Sequence, residues 1–498
     1  MRHLIVCREY PPAPGGGIGT YTLHAARALA AAGETVHIIG ERWPGSEGAR
    51  TESFGGRLVV HRLPVETPGL LRGSRRHPST PAGPAYEQFQ SGGPPASFAW
   101  QVAALAEQIV ASEAIDLIEA PEYEAPLLVF QLRRSLGLGP ERRPPCLIHL
   151  HSPTELVARA NGTSPEAASR LPLAMLERET VRAADGLVCP SEFLARQATE
   201  LFGVAADAIA VIAYPLGETP RVARPHEVWS AGSILYLGRL ELRKGILEWL
   251  DAAILLAREN SGLRFDFVGS DHIDAQLGGS GGIARRVPAE LRSRFGFHEH
   301  RNRPDLIDLL ARARLVVVPS RWENFPYTCI EAMASGVGVV ASPEGGMKEM
   351  IEHGINGWIA ASQRPADLAS AAREALACGP DRMASVGASA ANTIRQVCNE
   401  QHVVSQHLML AGRMVRAGAR CTEVLGSTAS ASEPALDAEQ AVLVRLAAVR
   451  AQSGGNVAGI GGRVLALGTS LRRAASQPVR SARRVARHLR WRLLGTPP

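Results

Sequence analysis

Lysine is nearly missing from this chain. Of 54 basic side chains only Lys244 and Lys348 are lysines, so arginine is the habit and each lysine a departure from it. Acidic residues are missing from Gln440 to Pro498, where eleven Arg stand without a single Asp or Glu. The 498-residue chain is +6 overall and this stretch is +11, so the first 439 residues sum to −5. A basic total confined to one end gives no ground for nucleic-acid binding by the folded body, and none is expected. Paired cysteines are missing too: seven Cys lie far apart with no Cys-x-x-Cys. That excludes zinc-site spacing and a disulfide framework, and it favours a reducing compartment. No run of about 18 apolar residues occurs, so no membrane-spanning helix is expected. The apolar run after Met1 is also too short for a secretory leader. The expected location is therefore cytoplasmic. Nor is there an Asp-x-Asp, the pair expected where a divalent cation neutralises a nucleoside diphosphate.

What is present is 45% hydrophobic residues, enough for real cores and against disorder of the chain as a whole. Short apolar runs alternate with longer helical patterns, which predicts βαβ units and parallel sheets. Strands are expected at Leu4–Cys7, Thr35–Ile39, Asp116–Glu119, Cys146–His149 and Gly186–Cys189. The pattern breaks near Arg221–Ser230 and restarts with strands at Ser233–Leu237, Arg264–Val268, Leu315–Val318 and Val337–Ala341. Helices are expected at Tyr21–Ala32, Gly245–Arg258, Pro304–Arg312, Pro326–Ala334 and Lys348–Glu352, with a glycine loop at Gly278–Gly282. A Pro/Gly/Ser-rich stretch from Pro64 to Ser97 reads as a long loop. The fold class is α/β: two doubly wound domains facing a cleft, with loops from the strand ends lining it.

Four constellations carry chemistry. Gly15-Gly-Gly-Ile-Gly-Thr20 opens a helix, where bare N–H groups can cradle an anion. With Glu41 closing the second strand it imitates a dinucleotide fingerprint, but Thr20 occupies the third glycine position. Seven residues, Arg8–Pro14, also separate strand from glycines where that fingerprint is tight. In Gly238-Arg-Leu-Glu-Leu-Arg-Lys-Gly245, Arg239 and Lys244 lie where a loop meets a helix and can converge on a pyrophosphate. The alternative is a solvated helix start, yet an ammonium kept where Arg is usual argues for a task that a guanidinium fork does poorly. Glu323 and Glu331 flank Asn-Phe-Pro-Tyr-Thr-Cys-Ile, the first in a loop and the second in a helix. They can hold two hydroxyl pairs of one ligand, or serve as a cap and a solvated helical residue. His149 and His151 share a strand face, but no further metal ligands accompany them; the same holds for His298 and His300. A single His at a strand end is the better reading, and no metal is expected.

Together these residues resemble the retaining GT-B glycosyltransferases of sequence family 4, over about residues 1–400. The glycine loop, Gly238-Arg-Leu with Lys244-Gly, Phe267-Val-Gly-Ser-Asp271 and Glu323-x7-Glu331 occur in the family's order. Glu331-Ala-Met-Ala-Ser-Gly336 through Gly354-Ile-Asn-Gly357 is the most specific part. The resemblance implies a GT-B fold of two Rossmann-like domains. It implies a nucleotide-diphosphate sugar as donor, no cofactor, and same-face substitution at the anomeric carbon. By carry-over, Arg239 and Lys244 contact the diphosphate, Glu323 the donor sugar, and Glu331 the ribose. Phe325, Pro326 and Tyr327 line the donor with help from nearby backbone N–H groups. Gly16 and Gly17 approach from the other domain, and His151 lies near the sugar. The acceptor is a glycan or lipid-linked hydroxyl not identified by sequence, and an envelope glycan or glycolipid pathway of bacterial type fits it.

The expected organisation is an N-terminal domain at 1–220, a nucleotide-sugar domain at 221–390, and a helix crossing back at 391–425. A linker and basic tail at 426–498 follow. Within Val479–Leu494, apolar residues recur at helical spacing among six Arg, so this segment reads either as an amphipathic helix on anionic lipid at the inner face of a membrane or as a solvated tail. Rival readings are a hydrolysing sugar-nucleotide epimerase, a nicotinamide oxidoreductase, and a non-catalytic, membrane-recruited sugar-nucleotide binder.

Overall fold

The computed structural model describes residues 1–420 apart from 14–15, 47, 65–93, 218–226, 273–278 and 300–302. The expectations for most of the Pro64–Ser97 loop, for His300, for the boundary at 220 and for the tail at 426–498 lie outside the described residues.

Two sheets form the body. The first contains β1 (Arg2–Val6), β2 (Thr35–Glu41), β3 (Arg50–Ser53), β4 (Leu58–Leu63), β5 (Leu117–Pro121), β6 (Cys146–His149), β7 (Gly186–Cys189) and β8 (Ile209–Val211). Their order is β3-β4-β2-β1-β5-β6-β7-β8, parallel except for the β3–β4 pair. The second contains β9 (Ser233–Leu237), β10 (Phe265–Val268), β11 (Phe295–His298), β12 (Ala313–Val318), β13 (Gly338–Ala341) and β14 (Trp358–Ile359). It runs in the order β11-β10-β9-β12-β13-β14 and is parallel throughout. These are two Rossmann-like domains in the GT-B arrangement.

Parallel strands buried on both faces read as continuous apolar runs, and their alternate residues serve opposite cores. In β1, Leu4 and Val6 join one cluster while Ile5 packs with the helix Gly17–Ala31 on the other side. In β9, Ile234 and Tyr236 pack under the helix Ile246–Glu259, and Leu235 and Leu237 face the helix Tyr327–Ala334. Strand order reverses between β1 and β5 and again between β9 and β12. Loops leaving those strands part at the reversal and open a crevice.

Three expectations need correction. Gly278–Gly282 is not simply a loop, because a helix runs from Gly279 to Arg286. Lys348–Glu352 is not an α-helix. A 3-10 turn spans Gly346–Glu349, entered through Gly345 at φ +101, where a β-carbon would strike the Glu323 carbonyl. The helix expected to cross back at 391–425 is, among the described residues, parts of two helices, Pro380–Val397 and Glu400–Ala417, broken where the Asn399 side chain caps the second by accepting the His402 N–H. The second helix lies on the first sheet, with Leu410, Ala411 and Met414 against Leu117, Leu147 and Val188. Each large apolar side chain so buried contributes roughly 1.5–3 kcal/mol. Met414 occupies the space that a β-carbon at Gly186 would need, which accounts for glycine inside β7.

Candidate functional site

The loop after β9 crosses the second sheet's reversal point. Gly238 sits at φ +149, and its carbonyl would lie 1.9 Å from a β-carbon at Gly269, so both loops need glycine to pass each other. The Tyr236 hydroxyl donates to the Arg239 carbonyl at 2.8 Å and pins the turn. A 3-10 turn, Leu242–Lys244, then ends at Gly245 (φ +69), where any side chain would strike the Pro319 carbonyl. The β9 loop is thereby locked against the β12 loop that carries Glu323.

This lock brings two cations onto one carboxylate. Lys244 Nζ ion-pairs with Glu323 Oε1, Arg243 reaches the same oxygen at 3.4 Å, and the Ser320 hydroxyl donates to it at 3.3 Å. Arg243 also donates to Glu241 at 2.7 Å and to the Trp322 carbonyl at 3.3 Å. Arg239, 45% exposed, lies 3.3 Å from Glu241 and keeps an open side toward the opposite domain. Burial works to raise Glu323, but Lys244 and Arg243 outweigh it and hold the carboxyl below its usual range. Burial, reinforced by Arg243 and Arg239, lowers Lys244 despite Glu323. Glu331 lies one turn beyond Tyr327 in the helix Tyr327–Ala334 and is half-buried.

The other wall comes from the first sheet. Gly16 caps the helix Gly17–Ala31, and β-carbons at Gly16 and Gly19 would meet the Glu9 carboxylate and carbonyl, each at 2.3 Å. Space beside Gly17 is open. His151 follows β6; its N–H donates to both Glu122 oxygens, at 2.9 and 2.8 Å, and its Nδ1 lies 2.5 Å from the Tyr214 hydroxyl. Burial, then the neighbouring His149, keeps His151 well below the usual histidine range, so it is neutral. The walls meet through Asn324, which donates to the His151 carbonyl at 3.1 Å and accepts from Ser191 at 2.6 Å. Tyr327 stacks on Tyr214 and donates to the Pro215 carbonyl at 3.0 Å, and Phe325 meets Tyr214 edge-on. Pro326 precedes the helix as its cap.

Arg239, Lys244 and Glu323 are thus brought together. Phe325, Pro326, Tyr327 and Glu331 are on the adjoining loop and helix, while Gly16, Gly17 and His151 face them from the first domain.

Models of two families cover this architecture: glycosyl transferases group 1 over residues 231–392 and the glycosyl transferase 4-like domain over residues 16–215. The chain is a GT-B glycosyltransferase, related to the group 1 enzymes. It is 28% identical over 399 residues to a glycogen synthase of Mycobacterium tuberculosis, spanning 76% of this chain and 86% of that one. A D-inositol 3-phosphate glycosyltransferase of Thermobispora bispora is 27% identical over 396 residues, 75% of this chain and 85% of its own. The structure of an Anabaena protein, HepE, in complex with UDP-glucose shares the fold with a TM-score of 0.59 at 18% identity, covering 83% of this chain and all of that one.

Several residues of the transferase escaped the sequence reading. Arg243 was visible in the motif, but its burial against Glu323 depends on the β12 loop. Asn324 and Tyr214 act between domains, 110 residues apart in sequence. Glu41, which completed only the imitation of a dinucleotide fingerprint, is ion-paired with Arg8 at 2.8 Å. His149 and His151 do not form a metal pair: their rings stack at 6.0 Å, and His149 hydrogen-bonds Glu119 at 2.9 Å. Glu119 also meets His3 at 2.7 Å and His407 at 3.1 Å. Donors on a four-coordinate zinc stand about 3.3 Å apart, so these shorter contacts make a hydrogen-bonded cluster and fit an ion poorly.

Proposed function

We propose that this transferase moves a sugar with retention of configuration and without a metal from a nucleotide-diphosphate sugar to an acceptor hydroxyl. The observation that supports it is the convergence of Arg243 and Lys244 on Glu323, with Arg239 beside them on Glu241, at a strand-order reversal. In the resting cleft Lys244 is engaged by Glu323. An arriving diphosphate competes for Lys244 and Arg239, which frees Glu323 to accept the donor sugar's hydroxyls while Glu331 takes those of the ribose. Charge then grows on the departing phosphate, where pre-oriented cations and the first turn of the glycine-loop helix oppose it. Loss of one such donor costs roughly 3 kcal/mol at the transition state. Gly17, with no neighbour over its α-carbon, lets the donor approach, and neutral His151 offers a hydrogen bond near the sugar. The acceptor proton passes to a leaving phosphate oxygen on the same face. Glu323 does not act as a covalent nucleophile in this reading, because its carboxylate is taken up by the donor sugar's hydroxyls.

The acceptor belongs to a glycan or a lipid-linked carrier of envelope type, and the basic segment Val479–Leu494 brings the enzyme to the inner face of an anionic membrane from the cytoplasm. The deciding experiment is a panel of UDP-, GDP- and ADP-sugars scored for nucleotide release against Glu323→Ala, with and without EDTA. Release by wild type only, unchanged by EDTA, with the product anomer matching the donor by NMR, is the expected result. Release that persists in Glu323→Ala refutes the assignment. An epimerised sugar formed without any acceptor favours the epimerase instead.

A further inference from the structure

Glu119 stands on β5, 1% exposed, away from the cations of the donor cleft. Its Oε1 accepts the Nδ1–H of His3 at 2.7 Å, and its Oε2 accepts the Nε2–H of His149 at 2.9 Å. His407, carried by the returning helix Glu400–Ala417, places Nε2 3.1 Å from Oε2. An ionised carboxylate only accepts hydrogen bonds, so the facing ring nitrogen of His149 must carry the proton and its Nδ1 is left as an acceptor. The Tyr21 hydroxyl, 3.0 Å from that Nδ1, therefore donates to it.

Tyr21 is four residues beyond Gly17 on the helix that the glycine loop opens. Its ring lies 4.9 Å from His151 and 4.8 Å from Tyr214. A cavity of about 30 Å3 is bordered by Tyr21, His149, His151, Tyr214 and His407, so close packing alone does not set the orientation of these rings. Something polar must.

We infer that Glu119 is a positioning residue of the transfer reaction: by fixing the proton on His149 it holds the Tyr21 hydroxyl, and with it the glycine-loop helix and the ring of His151. This rests on the proposed reading in which the glycine loop and His151 face the donor. Burying a carboxylate is costly, and an apolar group of similar volume is often neutral or stabilising by comparison. His3 and His149 hydrogen-bond it, His407 stands beside it, and the chain through His149 gives it an effect on the cleft.

Two measurements test the assignment. In the full chain labelled with 15N-histidine, the His149 signals, identified by their loss in His149→Asn, report its tautomer without any donor present. Protonation on Nε2 in the wild type, replaced by a mixture in Glu119→Gln, is expected. Protonation on Nδ1 in the wild type, or a tautomer untouched by Glu119→Gln, overturns the inference. With UDP-glucose as probe, Tyr21→Phe keeps the ring and removes one hydroxyl. It lowers kcat five- to tenfold with KM within twofold, and adding Glu119→Gln lowers it less than twofold further. Independent, multiplicative losses, or a rise in KM alone, overturn it as well. Absence of nucleotide release by the wild type bears on the donor reading and leaves the tautomer result to decide the role of Glu119.

Discussion

The two walls of the cleft are built on the same plan and carry opposite charge. Each is a parallel sheet whose order reverses beside the site, at β1 and β5 in one domain and at β9 and β12 in the other. On the second wall a single eight-residue loop, Gly238–Gly245, supplies Arg243 and Lys244 to Glu323 and Arg239 beside Glu241. On the first, Glu9 is joined by Glu41 and Glu124, both paired to Arg8, and by two histidines that burial works to keep neutral. The shared topology provides a crevice and nothing more; the loops decide what charge it meets. On the proposed reading the side-chain cations that answer the donor's phosphate charge all come from the second wall, while the first offers a helix N-terminus, shape and neutral hydrogen bonds.

The strongest way to break that asymmetry is Lys244→Ala. It removes the cation in contact with Glu323 and should lower kcat/KM by about 100- to 1000-fold in nucleotide-release assays. A loss below tenfold would show that the second wall does not carry the donor. Glycine substitutions separate shape from charge on the first wall. Gly19→Ala drives a β-carbon into the Glu9 carbonyl and should destabilise the protein by roughly 1–3 kcal/mol in urea titration. Gly17→Ala meets nothing and should leave stability within about 0.5 kcal/mol while raising the donor KM about tenfold. Equal behaviour of the two variants would contradict the open face at Gly17.

A pH titration sharpens the contrast. Burial lifts Glu122 to about 7, and burial with the neighbouring Glu122 lifts Glu177 to about 8, from 4.5. Between pH 4.5 and 8 the unfolded chain releases protons that the folded chain keeps, so this pair makes stability fall as pH rises and level off above 8. Glu177→Gln should flatten that slope and gain roughly 2 kcal/mol over wild type at pH 8. Glu323, held low by its cations, acts in the opposite sense: its contribution is present above pH 4.5 and lost as pH falls through its folded value. The smallest effect is expected for Glu9→Gln. Glu9 feels the charge of Arg239 across the cleft, so neutralising it frees Arg239 for phosphate and should lower the donor KM about twofold. An increase in KM would mean that Glu9 assists the donor.

Much of the second wall was legible because its chemistry is local. Gly238, Arg239, Lys244 and Gly245 lie within eight residues, and Glu323 and Glu331 within nine, so spacing and residue type carry the signal. The sheets were legible for the same reason, since β1, β6, β7 and β9 are short apolar runs between helix-period segments. β3, β4, β8, β11 and β14 were missed. They lie toward sheet edges, are short, or include polar residues such as His61, Arg62 and His298, so their apolar runs are brief or interrupted. The first wall was hard to read because its partners are distant: His151 depends on Glu122, Tyr214 and Asn324, and Glu119 gathers His3, His149 and His407 from across the chain.

By itself the sequence determined the α/β architecture, the loop and helix on which Arg239, Lys244, Glu323 and Glu331 stand, and the concentration of positive charge after Gln440, because each depends on residues close together along the chain. Only the tertiary structure decided which groups stay charged. Arg243 and Lys244 are buried against Glu323, His151 is kept neutral beneath Tyr214, and Glu119 is held ionised by three imidazoles. Desolvation and partner distance set those states, and both come into being only when remote segments pack.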